Sequence, residues 1–429
     1  GRATKGAALA IRSRVYLYSA RKLFNGNDLY KGVIDKYGNP LFPTVYDEKK
    51  WETAAQAAKD VIDMNIYGLV GADGTDPYGS LHDLYTTVGP VNSVTEMIFS
   101  RIVSAYNWGI AATPRMARSR AYGSFGPTQK LVDAFAMANG CIRVYSGLMD
   151  LMNDNEVEAV IDQTQPIIDP ESGYSETGFS TFTHPIFGDQ LANTFMMYQN
   201  REPRFYINVL WSGCVWHSGN VNKGVVQLYT GGNSGYAATQ QNYPATGYLA
   251  GKFIDHTKDT STAGDSTSTD VWDFIDWPII RYAEILLNYV EALNEYDPGN
   301  PDILTYLNMV RKRAGVPDIE KVYPEAVGNQ KQMRELIRRE RMVELCYENL
   351  RYFDIRTWMI AETEHGDVYG MNIDATNHNA NSAFWKRTLS TRDSGLSANG
   401  HRKFSPRGYL FPISQEEMDR TNCTQNYGW

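Results

Sequence analysis

The chain has 429 residues, room for one large domain or several ordinary ones with a substantial buried core. Apolar residues make up 42% and charged residues 21%, which excludes a disordered polyelectrolyte. With Lys+Arg 41 against Asp+Glu 49, the net charge of -8 argues against nucleic acid as the main partner, because duplex binding rests on a basic surface.

The opening stretch, GRATKGAALAIRSRVYLYSA, has apolar positions at helical spacing and no cleavage site. It reads as a helix over 3–23 and not as a signal peptide. In WETAAQAAKDVIDM (51–64), Trp51, Ala54, Ala55, Ala58, Val61 and Ile62 share one stripe, with Asp47 as the start and Asn65 to Gly68 as the stop. From about Gly71 to Asp276 the chain is punctuated by Gly, Pro, Asn and Ser. Short apolar runs there, MIFSRIV (97–103) and FYINVLW (205–211), predict brief strands. DHTKDTSTAGDSTSTD (255–270) predicts a mobile surface loop.

Helices resume at Pro278. RYAEILLNYVEALNE (281–295) gathers Ile285, Leu286, Tyr289, Ala292 and Leu293 on one face. Asn300 can cap the next helix, with Pro301 at its first position. That helix carries Leu304, Leu307, Val310 and Ala314 and stops at Gly315 to Pro317. Two antiparallel helices in about 34 residues match a tetratricopeptide unit, which must stack on neighbours to bury its faces. The expected fold is mainly α: stacked tetratricopeptide-like helix pairs at 1–70 and 279–360, a loop-rich region with short strands at 71–278, and an extension at 361–429 packed on the scaffold.

RRERMVELCYENLRYFDIRTW (338–358) poses a problem. A continuous helix over 333–355 places Met333, Leu336, Ile337, Glu340, Glu344, Tyr347, Arg351 and Ile355 on one face. An unpaired buried carboxylate is costly, so Glu340 and Glu344 need cations, with Arg338, Arg339, Arg341, Arg351 and Arg356 the local candidates. The alternative is an acid/base pair for glycoside hydrolysis. Two glutamates one turn apart on one helix are poorly placed to flank a scissile bond, so Glu340, Glu344, Arg341 and Arg351 are assigned to structural ion pairs.

Four cysteines lie far apart without C-x-x-C spacing, and the seven histidines form no H-E-x-x-H. No P-loop, G-x-G-x-x-G or G-x-S-x-G occurs. No cofactor is expected. DGTDPYGSLHD (73–83) offers oxygen ligands for a structural Ca²⁺ but lacks EF-hand spacing, and a solvated turn is the plainer reading.

The chain is rich in Tyr (28) and Trp (9). Sugars present apolar C–H faces edged by hydroxyls, so a glycan site needs aromatic platforms beside Asn, Asp, Arg or Gln. SAYNWGIAATPRMARSRAYGSFG (104–126) concentrates these types, and Tyr106, Asn107, Trp108, Arg118, Arg120 and Tyr122 are its candidate ligand contacts, beside Arg115 and Phe125. Trp216, in VLWSGCVWHSG (209–219), is a further candidate, and Tyr174 and Phe179 are weaker ones. The alternative is a loop that simply packs its aromatics on the helical stack.

The helical motifs, taken in order, resemble the SusD/RagB family. GRATKGAALAIRSRVYLY, WETAAQAAKDVI, PTQKLVDAFAMANG (127–140), NREPRFYINVLWSG (200–213), RYAEILLNYVEALNE, IRRERMVELCYENLRYFDIRTW and YLFPISQEEMDRTNCTQNYGW (409–429) carry the resemblance. It implies a non-enzymatic, surface-exposed outer-membrane lipoprotein that binds oligosaccharide for uptake with a SusC-like TonB-dependent barrel. Family members begin with a signal peptide, a lipid-bearing cysteine and further helices, so the expectation is that an upstream part, anchor included, is missing from this sequence. The rival readings are a RagB-like peptide binder and a glycan hydrolase using Asp73, Asp76 or Asp83.

Overall fold

A computed structural model describes residues 4–118, 121–142, 166, 168–219, 221–239, 242–259, 272, 274–392, 401–421 and 423–429. The chain is mainly helical. Helix α1 (Lys5–Ala20) starts where the Thr4 hydroxyl accepts from the Ala7 amide at 3.1 Å. It buries the small residues Gly6, Ala7, Ala10 and Ser13, which allows close approach of α2 (Lys49–Ile62). The α2 helix buries the expected stripe of Trp51, Ala54, Ala55, Ala58, Val61 and Ile62 and stops before Asn65, at φ +54°. Against α2 lies the Tyr282–Tyr296 helix, buried continuously from Tyr282 to Asn294. The Asp302–Arg313 and Gln330–Glu344 helices pack on it in turn. Pro301 falls just outside the former, while the Asn300 side chain accepts from Asp302 N at 3.0 Å, so the cap begins one residue later than expected.

The middle of the chain forms its own core around Trp211, Trp216, Tyr198, Tyr248 and Phe205, all buried. Among the described residues its strands form antiparallel pairs, not a continuous sheet. They are β1 (Met97–Ser104) with β8 (Phe274–Arg281), β2 (Phe179–Thr183) with β3 (Gln190–Phe195), and β4 (Val209–Trp211) with β7 (Tyr248–Ala250). Two more are β5 (Val215–Ser218) with β6 (Val221–Val225) and β9 (Tyr369–Met371) with β10 (Arg387–Leu389). Between them lie the helices α3 (Pro77–Thr86) and α4 (Tyr106–Ala112). FYINVLW is only half strand. Pro203 opens a short helix, Pro203–Asn208, and β4 begins at Val209. A brief apolar run does not carry enough periodicity to separate the two. Of the expected loop at 255–270, residues 260–270 lie outside the described part.

The structure also breaks the helix expected over 333–355. It ends at Glu344, passes Tyr347 (φ +63°) and Asn349 (φ +64°), and restarts at Arg351–Thr357. Tyr347, Arg351 and Ile355 therefore leave the face that holds Glu340 and Glu344. The partners of those glutamates are also not the local arginines. Glu344 accepts from Arg281 at 2.7 Å, from Arg204 at 2.9 Å and from Arg313. Glu340 accepts from Arg204 at 2.5 Å and lies 3.5 Å from Arg311. Lys252, Arg204, Arg281, Arg311 and Arg313 are interleaved with Glu96, Glu202, Glu340, Glu344 and Glu348, five cations against five carboxylates, all buried. Arg341, one position along from Glu340, is turned by about 100° and meets Asp354 and Glu291 instead. Arg351 pairs with Glu364, Arg338 with Glu335, and Arg356 lies over the Tyr352 ring. A helix-face argument finds the residues that are buried together, and it is blind to the guanidinium groups that other elements deliver to that face.

These charges set an acid response. Burial alone would raise the Glu344 carboxyl, but Arg313, Arg281 and Arg204 outweigh it and hold it well below the usual range. Glu348, Glu291 and Asp354 are held down against burial in the same way, whereas burial wins at Glu202 and raises it. His184, stacked on Trp211, and His256, beside Trp216, are pushed down from 6.5 to about 4 by burial. Both histidines stay neutral when folded and take up protons when unfolded, so their contribution drains away as the pH falls from 6.5 to about 4. The depressed carboxylates hold their contribution above the ordinary range near 4 and lose it as the pH falls through their lower folded values. His82, raised through its bond to Asp255, runs the other way, its share being lost as the pH rises. The melting temperature should therefore decline from pH 6.5 to 4 and then fall again in stronger acid, with His256→Gln removing part of the first decline. A flat profile between pH 6.5 and 4 would refute this assignment.

Candidate functional site

Helix α4 begins just after β1, and the chain then folds back on it. The amides of Tyr122 and Phe125 donate to the carbonyls of Ile110 and Ala111 at 2.6 and 3.1 Å, and the Phe125 carbonyl accepts from Ala250 N of β7 at 3.0 Å. This return places Phe125 beside Trp108. Trp108 is the hub of an aromatic cluster, meeting Phe125 (4.9 Å), Phe253 (5.5 Å), Trp277 (5.5 Å) and Tyr347 (5.6 Å), each edge to face. Its Nε1 donates to the Lys252 carbonyl at 2.5 Å. Edge-to-face rings each add about 0.5–1.5 kcal/mol beyond the area they bury.

Two of the five rings sit on left-handed backbone, Phe253 at φ +65° and Tyr347 at φ +63°. For bulky residues this costs about 1–3 kcal/mol each and persists only where the surroundings enforce it. The enforcing groups belong to the buried ion network. Lys252, next to Phe253, donates to Glu348 at 2.6 Å and to the Cys346 carbonyl at 3.0 Å, clamping the residues on either side of Tyr347. Burial disfavours the Lys252 charge, yet Glu348 keeps it protonated and raises its pKa. Arg281, at the end of β8, holds the other side of Glu348 at 2.9 Å. The carboxylates thus hold two strained rings in place.

Phe125 is 41% exposed, Trp277 and Trp108 are half-buried, and Asn107 is exposed. Trp277 continues into a cleft of about 340 Å³ walled by Arg14, Tyr18, Pro278, Ile279, Asn349 and Phe353, among others. At its rim the exposed Asn349 side chain has no hydrogen-bond partner, and the buried Tyr18 hydroxyl also has none, among the described residues. Flat apolar faces edged by the unpartnered Asn349 amide suit a hydroxylated ring.

The residues singled out in the sequence are divided by the structure. Tyr106, Asn107, Trp108 and Tyr122 lie together on α4 and its returning loop, with Tyr122 44% exposed. Arg118 is buried, its guanidinium 5.8 Å from the Trp272 ring and its Nε and Nη1 without partners among the described residues. Arg120 lies outside the described residues. Trp216 is 1% exposed and forms part of the core, so it presents no ligand surface. Tyr174 is likewise buried, donating to Glu176 at 2.6 Å, and Phe179 packs on Phe195. Much of the aromatic content fills a core and does not face solvent. Sequence reasoning missed Phe253, Trp277 and Tyr347, which are distant in the chain and come together only through β8, β7 and the helix break. The -W-P- step in FIDWPIIR was the available signal, an aromatic beside a proline within an apolar strand.

The loop carboxylates have other duties. Asp76 caps α3 by accepting from Gly79 N at 2.9 Å, Asp73 accepts from Thr75 N at 3.2 Å, and Asp83 lies 3.3 Å from His82. Among the described residues no group of three His, Cys, Asp or Glu side chains is arranged to hold a metal, and the four cysteines are free. No described helix is long and apolar enough to cross a membrane.

Comparison with known proteins places this arrangement among relatives. A SusD-like protein from Bacteroides fragilis superposes with a TM-score of 0.65 at 25% identity, over 100% of this chain and 66% of that one. A SusD-like carbohydrate binding protein from the same organism gives 0.58 at 20% identity, over 98% of this chain and 64% of that one, which shows a shared fold. This chain thus spans slightly under two thirds of the length of either structure. A local likeness of another kind links it to the metalloprotease LoiP of Escherichia coli, 48% identical over 79 residues, 18% of this chain and 29% of that protein. The profile of the SusD family matches residues 95–429, which takes in all five rings of the aromatic cluster and every helix from Tyr282 onward. By that match, the chain belongs to the SusD family.

Proposed function

We propose that this chain binds neutral or mildly acidic glycan without turning it over, using the surface formed by Phe125, Trp108, Trp277 and the cleft beside Asn349. The observation that supports it most is the pair of strained rings, Phe253 and Tyr347, held against Trp108 by a charge-balanced interior. Strain of this kind gathers at functional sites. Tyr106, Asn107 and Tyr122 extend the same surface, whereas Arg118, turned inward toward Trp272, does not. In this reading the helices of 1–70 and 279–360 are frame, 71–278 carries recognition, and 361–429 packs on the frame.

Family membership supports the rest of the reading: an outer-membrane, surface-exposed, lipid-anchored protein that captures oligosaccharide for uptake through a SusC-like TonB-dependent barrel. A hydrolase is disfavoured because Glu340 and Glu344 are buried beneath guanidinium groups, while Asp76 caps a helix, Asp73 holds a turn through Thr75 and Asp83 lies against His82. Titrating the purified chain with a panel of polysaccharides and oligosaccharides should give saturable binding with no increase in reducing ends. Release of reducing ends, or a response to a peptide pool and to no glycan, would overturn it.

A further inference from the structure

On the side of the molecule built by β2–β3 and β4–β6, a cavity of about 600 Å³ opens between the hairpin residues Gln190–Phe195, the strand residue Trp211 and the loop that carries His378, Asn379 and Trp385. None of its lining residues belongs to the Trp108 surface or to the cleft beside Trp277. Ligand cavities commonly fall at about 300–1,000 Å³. Its aromatic wall is held firmly: Trp385 lies 5.0 Å from Phe195 and 5.3 Å from Phe179, and its Nε1 donates to the Asn379 carbonyl at 2.9 Å.

The polar groups around this wall are uncommitted. Among the described residues the side-chain amides of Gln190, Asn193 and Asn379 have no hydrogen-bond partner, and Asn222 spends only its oxygen, on Gly224 N at 2.9 Å. Ser212 bonds Nδ1 of His378 at 2.8 Å and accepts from Leu228 N at 3.1 Å, so His378 keeps Nε2 for a ligand. Asn193 stands at φ +58°, a conformation that Asn tolerates better than most residues. Among the described residues no Asp, Glu, Lys or Arg lines the cavity, and burial lowers the His378 pKa, which keeps the ring neutral.

These features select a ligand. An apolar molecule would strip water from four amides and return nothing, at a cost of about 1–3 kcal/mol per lost partner. A charged one would find no counter-charge. Each carboxamide offers a donor and an acceptor side by side, which matches adjacent hydroxyls, and Trp385 offers a face for C–H groups. We infer that this cavity is a second, separate binding site, one that takes an uncharged pyranose unit or short oligosaccharide between Trp385 and the amides of Gln190, Asn193 and Asn379. The inference does not depend on the Trp108 surface being a glycan site.

The test uses the full chain labelled with 5-fluorotryptophan, with the ¹⁹F resonances of Trp385 and Trp277 identified through W385F and W277F. Neutral gluco-, xylo- and manno-oligosaccharides, and oligogalacturonate as the anionic counter-probe, are added to about 10 mM, enough to detect millimolar binding. The Trp385 resonance should shift saturably with at least one neutral sugar and not with oligogalacturonate. Asn193→Gly, which keeps the left-handed backbone, combined with Asn379→Ala should weaken that response about tenfold or more while any Trp277 response stays unchanged. If Trp277 responds and Trp385 does not, the cavity is no sugar site while the Trp108 surface stands. Should oligogalacturonate shift Trp385 as strongly as the neutral sugars, the uncharged-ligand assignment is wrong. A spectrum in which neither resonance moves with any sugar overturns both sites.

Discussion

Replacing Glu344 by alanine is expected to destabilise the fold by about 3–5 kcal/mol, the range found when one partner of a buried ion pair is removed. Three guanidinium groups converge on this carboxylate, from Arg204, Arg281 and Arg313. Without it, Arg204 retains Glu202 and Glu340, and Arg281 retains Glu96 and Glu348. Arg313 retains Glu96 alone, at 3.2 Å, so the loss falls most heavily there. Since domains are stable by only about 5–15 kcal/mol, the variant should lose a large part of its margin. Urea unfolding, followed by tryptophan fluorescence, measures this directly. Glu344→Gln, which keeps the shape but removes the charge, should fall between the two. A midpoint for Glu344→Ala within experimental error of the parent would show that the interior charges do not support the frame.

The second large effect concerns affinity. Trp277→Ala and Phe125→Ala each remove a partly exposed ring from the proposed contact surface, and each should weaken glycan binding by about 2 kcal/mol, roughly thirtyfold. Their melting temperatures should fall by less than that of Trp108→Ala, because each ring meets two others of the cluster and Phe125 is 41% exposed. Trp108→Ala should differ from both, losing affinity and stability together, since it touches four other rings and anchors the Lys252 carbonyl. Calorimetric titration beside thermal melts separates the two behaviours. Unaltered affinity in Trp277→Ala and Phe125→Ala would move recognition away from this surface even though the family assignment stands.

The helical frame was legible because its signals are local. The small-residue stripe of α2 and the run from Tyr282 to Asn294 depend on neighbours within a few positions, although the helix expected to start at Pro301 begins one residue later, at Asp302. The burial of Glu340 and Glu344 followed from periodicity for the same reason. Their partners did not, because Arg204, Arg281, Arg311 and Arg313 arrive from other helices and from β8, and no spacing rule reports such a meeting. The helix break escaped for a related reason: Tyr347 and Asn349 adopt left-handed backbone without a glycine to announce it. For the proposed contact surface, the sequence pointed to Trp108 and its loop but could not distinguish a half-buried tryptophan from the enclosed Trp216. That distinction depends on which residues from elsewhere in the chain cover each ring.

The short link between Glu344 and Arg351 has a thermodynamic consequence. It joins the charged interior to Tyr347 through a handful of bonds, leaving the outer rings little freedom to adjust when a ligand arrives. Such an anvil gives up almost no motion on contact, so the heat capacity change of association should come from dehydrated ring faces and not from ordering of the chain. Association should accordingly be fast and nearly insensitive to viscogens that slow loop closure.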